Sequence, residues 1–145
     1  MSENQPSNPT SLLFRHRSPG VDKRDLRRFL NDLTKQLLPG RSVTCLIASD
    51  ANLRELNRKF RGQDHPTDVL SFPPEDIAIS FDRAAAQAAE LRHSVEDELR
   101  ILMLHGLLHL TGMDHETDSG AMKRTEARWR KRLGLPSGLI ERVTA

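Results

Sequence analysis

The stretch that decides the fold reads Val95-Glu96-Asp97-Glu98-Leu99-Arg100-Ile101-Leu102-Met103-Leu104-His105-Gly106-Leu107-Leu108-His109-Leu110-Thr111-Gly112-Met113-Asp114-His115. Ser94 stands just before it. With Asp97 three residues on, it resembles a capping box in which Asp replaces Glu. From there to Leu110 the apolar residues face several directions at helical spacing. A helix that is apolar all round belongs in the interior. The pattern therefore predicts a central buried helix around which the rest of the chain packs.

The same helix carries chemistry near its C-terminal end. His105 and His109 are four residues apart, so on a helix they stack on one face, a turn apart. Gly112 accepts the left-handed backbone that ends many helices, and the returning chain can bring His115 beside the pair. Three neutral imidazoles would leave a fourth position open, which marks a catalytic zinc rather than a structural one. An isolated histidine pair of this spacing is as readily two core residues; the third histidine after the glycine turns the reading to metal. The spacing matches the zincin signature H-E-x-x-H-x-x-G-x-x-H at every ligand and at the glycine. The glutamate of that signature, which serves there as general base, is Gly106 here. The pattern thus points to a zinc hydrolase and away from an ordinary zinc peptidase.

Working outward, 145 residues make one domain, long enough to bury a core without covalent staples. Residues 1–10 are polar with two prolines and read as a disordered tail, leaving 11–145 as the single domain. They lack the layout of a secretory signal, and no apolar run approaches the ~20 residues of a membrane span. The lone Cys45 lies in an apolar run and reads as a buried small side chain. These features fit a cytoplasmic protein with no membrane partner. Net charge is +2 and pI near 9.0, which permits nucleic-acid binding without demanding it. Basic residues cluster at Arg15 to Arg28 and at Lys123 to Arg132, as solvated helix faces also would.

In chain order, Ser11 to Arg15 reads as an edge strand. Asp22 caps a helix to about Leu38, with Leu26, Phe29, Leu30, Leu33 and Leu37 as its buried stripe. Ser42 to Ser49 is nearly all apolar and reads as a central strand. Asp50 is the expected cap of a second helix, with Leu53, Leu56 and Phe60 inward and Gly62 at its C-terminus. Val69 to Phe72 and Ile77 to Phe81 read as short neighbouring strands joined as a hairpin. Asp82 is the expected cap of an alanine-rich helix to about Arg92. A last helix, about Ser119 to Leu133, turns Met122, Trp129 and Leu133 inward. Helices and strands do not alternate strictly. The fold class expected is α+β: a small mixed sheet of about four strands packed with about five helices, the metal site lying at the C-terminal end of the central helix.

Two segments then read together. Leu56-Asn57, Phe60-Arg61 and Asp64-x-Pro66-Thr67-Asp68-Val69-Leu70-Ser71-Phe72-Pro73 form one. His105-Gly106-x-Leu108-His109-Leu110-x-Gly112-x-Asp114-His115 forms the other, with Asp76-Ile77-Ala78-Ile79-Ser80 between them. In this order they resemble the YbeY family of bacterial ribosomal-RNA maturation factors. The resemblance implies a single-strand-specific, metal-dependent endoribonuclease acting in 16S rRNA 3′-end maturation and ribosome quality control. It implies one zinc per chain on His105, His109 and His115. It also implies RNA, specifically rRNA and the small ribosomal subunit, as partner, with ribosome-associated proteins alongside. Arg61 takes the place of the family's arginine before the Asp-x-Pro-Thr segment. We assign it to hold the scissile phosphate, because a planar guanidinium grips two phosphate oxygens at once. Arg61 and His115 are the expected catalytic residues. Asp114 either accepts from a ligand histidine or caps a nearby turn. Glu75 and Met113 depart from the glycine and tyrosine common in the family at those positions. Two other readings compete: a ribosome-associated binding factor whose zinc is mainly structural, and a zinc hydrolase of another class.

Overall fold

The computed structural model describes residues 9–114 and 116–137. Four strands, β1 (Ser11–Phe14), β2 (Thr44–Ala48), β3 (Val69–Phe72) and β4 (Asp76–Ser80), form one sheet in the order β1-β2-β4-β3. β1, β2 and β4 run parallel, and β3 pairs antiparallel with β4. Five helices accompany them among the described residues: α1 (Lys23–Leu37), α2 (Asp50–Arg61), α3 (Phe81–Leu91), α4 (Val95–Leu110) and α5 (Ala121–Leu133). The mixed α+β architecture is the one the sequence predicts. β1 is the expected edge strand and β2 the expected interior one. Residues 1–8 of the expected tail lie outside the described residues. Thr10, the last residue of that tail, is tied to the residue before β2, its Oγ1 accepting from the Val43 N–H at 3.2 Å.

α4 is the centre of the larger core. Eleven of its sixteen residues are buried, so it has no solvent face to orient it and is held by neighbours on every side. Leu99, Leu102, Met103 and Leu107 meet Cys45, Ile47, Ile77 and Ile79 of the sheet. Leu26, Leu30 and Leu33 of α1 close one flank, and Phe81 and Ala84 of α3 and Met122 of α5 contribute from their own elements. Each fully buried leucine of this kind stabilises the fold by roughly 1.5–3 kcal/mol. Alternation along the strands sends Leu70 and Ala78 to the opposite face, where Leu53 of α2 completes a smaller cluster.

Several local expectations are corrected. Ser49, not Asp50, caps α2: its hydroxyl accepts from Asn52 N–H, while Asn52 Oδ1 accepts from Ser49 N–H. Ser80, not Asp82, caps α3, which begins at Phe81 rather than after it. Asp82 does cap a helix, but the neighbouring one, since its Oδ2 accepts from the Asp50 N–H at 2.8 Å. The α5 helix starts at Ala121, where Asp118 accepts from the Gly120 and Met122 amides. Phe60, expected to face inward with Leu53 and Leu56, is 60% exposed. It lies in the last turn of α2, beyond the cluster buried around Leu53, and its ring meets only the edge of Phe72.

Two close contacts fix how α4 lies on the sheet. A Cβ at Gly106 would stand 3.0 Å from Cδ1 and from Cγ2 of Ile77, so only glycine lets the helix approach β4 so closely. At the same place the Ser71 hydroxyl donates to the Gly106 carbonyl at 3.0 Å. The position of the zincin glutamate is therefore turned into the sheet in this fold, with no room for a side chain.

Candidate metal centre and its cavity

The C-terminal end of α4, the loop after it and β3 enclose a cavity of about 450 Å³. His105, His109, Asp114, Glu116, Arg61 and Ser71 are among the residues that line it. His105 and His109 stack as the spacing requires, ring centroids 4.8 Å apart and planes near perpendicular at 77°. Their Nε2 atoms are 3.2 Å apart.

The other nitrogen of each ring is engaged by a group that only accepts. His105 Nδ1 lies 2.8 Å from Oε2 of Glu126, a carboxylate with 0% exposure on α5. His109 Nδ1 lies 2.9 Å from the Met113 carbonyl oxygen. Each Nδ1 must then carry the proton, and in a neutral ring Nε2 presents its lone pair. In that tautomer each Nε2 can offer its lone pair to a metal ion. Tetrahedral zinc with ordinary Zn–N bonds would set its nitrogen ligands about 3.3 Å apart. The pair thus fits a zinc ion in spacing, in tautomer and in the hydrogen bonds that orient it.

The third expected ligand, His115, lies outside the described residues. Among the described residues no group of three His, Cys, Asp or Glu gathers to hold a metal. Gly112 makes the turn that the sequence predicts, with φ at +100°. That turn sets the Met113 carbonyl on His109. Only the backbone of Met113 makes this contact, so the exchange of tyrosine for methionine leaves it intact. Asp114 lines the cavity, and its Oδ1 accepts from the Glu116 N–H at 3.0 Å, the turn-capping contact weighed above.

Arg61 arrives from the opposite wall. It is the last residue of α2, and Gly62, left-handed at φ +68°, turns the chain away after it. Its Nη2 donates to the Ser71 carbonyl at 2.9 Å, which holds the guanidinium against the edge of β3 and beside the cavity. Asn57, buried beneath, donates to the His65 carbonyl at 3.0 Å and secures the loop between α2 and β3. Asp68 is structural: it accepts from the Val69 amide and from Gln87.

Sequence reasoning missed Glu126. A signal was present, because Glu126 falls at helical spacing between Met122 and Trp129 on the predicted inner stripe of α5. A carboxylate on such a stripe needs a buried partner, and His105 is that partner. Ser71 was also missed, though it supports both walls, its hydroxyl on α4 and its carbonyl on Arg61.

The family model for endoribonuclease YbeY matches residues 15–134. The chain belongs to the YbeY family. The endoribonuclease YbeY of Solibacter usitatus is 50% identical over 139 residues, covering 92% of this chain and 95% of its own. That of Koribacter versatilis is 47% identical over 139 residues, covering 92% and 91%. The solution structure of TM1509 from Thermotoga maritima shares the fold, with a TM-score of 0.59 at 26% identity over 85% of this chain and 93% of that one. The YbeY match takes in both walls of the cavity, from Arg61 to Glu116, and Glu126 behind His105.

Proposed function

We propose that this chain is a zinc-dependent endoribonuclease that cuts single-stranded RNA. Membership of the YbeY endoribonuclease family supports RNA as the substrate. The observation that carries the reading further is the placement of Arg61 and the His105–His109 pair around one cavity. A zinc ion on His105, His109 and His115 would act as a Lewis acid on a phosphate oxygen or on water. The protein's own part is positional. Arg61 spends one N–H on Ser71 and keeps the rest of its fork for two oxygens of the scissile phosphate. The charge that develops on those oxygens during displacement is then met by a guanidinium already held in place. Glu126 and the Met113 carbonyl keep both rings in the tautomer that turns Nε2 toward the cavity.

Displacement at phosphorus forms one P–O bond and breaks another, and the departing oxygen takes up a proton. Attack by the RNA's own 2′-hydroxyl leaves a 2′,3′-cyclic phosphate; attack by water leaves a linear phosphate end. The physiological substrate we assign is the 3′ end of 16S rRNA, on the small ribosomal subunit in the cytoplasm. The support for that assignment is the resemblance of the two long motifs. No helix among the described residues is long and apolar enough to cross a membrane, which agrees with a reading that needs no membrane.

The test pairs metal content with cleavage of a defined single-stranded RNA. His115→Ala is expected to lower bound zinc and abolish cleavage. Arg61→Glu is expected to keep zinc and still lose cleavage. Normal cleavage by highly purified Arg61→Glu protein would refute the role given to that arginine. Cleavage that survives complete removal of zinc would refute the metal mechanism.

A further inference from the structure

Phe60 departs from its predicted place in a way that carries a function. It stands 60% exposed, the most exposed large apolar side chain among the described residues. Its ring meets Phe72 edge-on, centroids 5.6 Å apart and planes at 66°, and this contact leaves it uncovered. The surroundings are cationic. Lys59 Nζ lies 5.4 Å from the Phe60 ring centroid, and Arg58 and Arg61 share the same helix end. Arg61, the next residue, lines the cavity, as do Ser71 and Pro73 on either side of Phe72. The aromatic pair and the cavity therefore adjoin across the edge strand β3.

We propose that Phe60, backed by Phe72, is a stacking platform for one unpaired base of the RNA strand whose backbone enters the cavity. The proposal rests on the RNA reading above. An aromatic face flanked by cations is the usual way to hold single-stranded nucleic acid, because every base has a face to stack and every linkage a charge to neutralise. A duplex keeps its base faces covered by their neighbours, so a platform of this kind also selects for single strands. The cations beside Phe60 suit a polyanion, and Arg61 belongs both to this helix end and to the cavity.

The test is a binding titration, which does not depend on catalysis. The probe is a short phosphorothioate, 2′-O-methyl single-stranded RNA that resists cleavage, together with versions carrying an abasic residue at each position in turn. Phe60→Ala is expected to weaken binding about 5- to 150-fold, the range for loss of one stacked base. Phe60→Trp is expected to bind as the unaltered protein does. One abasic position should weaken binding by the unaltered protein to a similar extent and weaken Phe60→Ala no further. Leu13→Ala, an exposed apolar residue on the far edge strand, should change nothing. Unchanged affinity in Phe60→Ala overturns the platform, as does full affinity in Phe60→Leu, which keeps apolar area without a ring. A Phe60→Ala variant that alters self-association in sedimentation while binding RNA normally overturns it in favour of a contact between copies. If the unaltered protein binds none of the RNAs, the RNA reading itself falls and the platform with it.

Discussion

Replacing Gly106 by alanine tests whether close approach of α4 to the sheet governs the site. In a helix interior this exchange ordinarily stabilises by about 1 kcal/mol. Here the new methyl would sit 3.0 Å from Ile77 Cδ1 and Cγ2 and 3.3 Å from Cγ1. Carbon contacts relax to about 3.5–4.0 Å, so helix and strand must part by roughly half an ångström or more. Ile77 cannot simply swing aside, since it is buried on β4, between β2 and β3. Forced overpacking of this size costs about 1–3 kcal/mol. The balance runs from neutral to a loss of about 2 kcal/mol, where an open helix would have gained. Ile77→Ala removes all three opposing carbons. In that background Gly106→Ala should stabilise by about 1 kcal/mol, giving a coupling of about 2 kcal/mol between the two sites. Denaturant unfolding of the four proteins measures it. If alanine stabilises both backgrounds equally, the contact is no constraint and the reasoning fails. By the same geometry Gly106→Glu should destabilise the protein without creating a peptidase, because the carboxylate would point into the sheet and not at the histidines.

Glu126→Gln should lower zinc affinity about 10- to 100-fold, measured by competition with a chromophoric chelator, because an amide holds His105 less firmly than a carboxylate does; unchanged affinity would remove Glu126 from the site. Cys45 is fully buried, and burial pushes its thiol from 9.0 up to about 12. The folded state thus keeps a proton that the unfolded chain gives up. The resulting stability is complete below pH 9 and is lost as pH rises toward 12. Cys45→Ala should flatten that alkaline decline in unfolding curves. In the native protein Cys45 should react with a thiol reagent only at the rate of unfolding, and fast labelling at neutral pH would contradict its burial.

The parts of the fold that were legible in the sequence share one property: burial decided them. The leucine stripe of α1 and the all-round apolar character of α4 can face only inward. The nearly all-apolar run of β2 follows from the same demand. What escaped was set by tertiary neighbours. Asp82 looks like the cap of its own helix and serves another, because α2 and α3 begin side by side. Phe60 keeps helical register with Leu53 and Leu56 yet meets the sheet only at the edge of Phe72 and stays exposed. In the site, His105 and His109 announced themselves by spacing, and Arg61 by the motif around it. Glu126 sits twenty-one residues from His105 on another helix, where no local pattern joins them. Recognising it needed the question of what a carboxylate on an inner stripe would pair with.

β3 is four residues long and serves both sides of the sheet. Ser71 faces α4 and Phe72 faces α2, and Phe72 pairs with Asp76 across a connection of only three residues. A strand exchanges its two faces whenever its register slips by one. Inserting or deleting a single residue between Phe72 and Asp76 would thus trade the serine for the phenylalanine. The cavity would lose the support of its wall and the helix end its aromatic partner in one step. Along this edge, change by substitution is open to the chain, while change in length is closed.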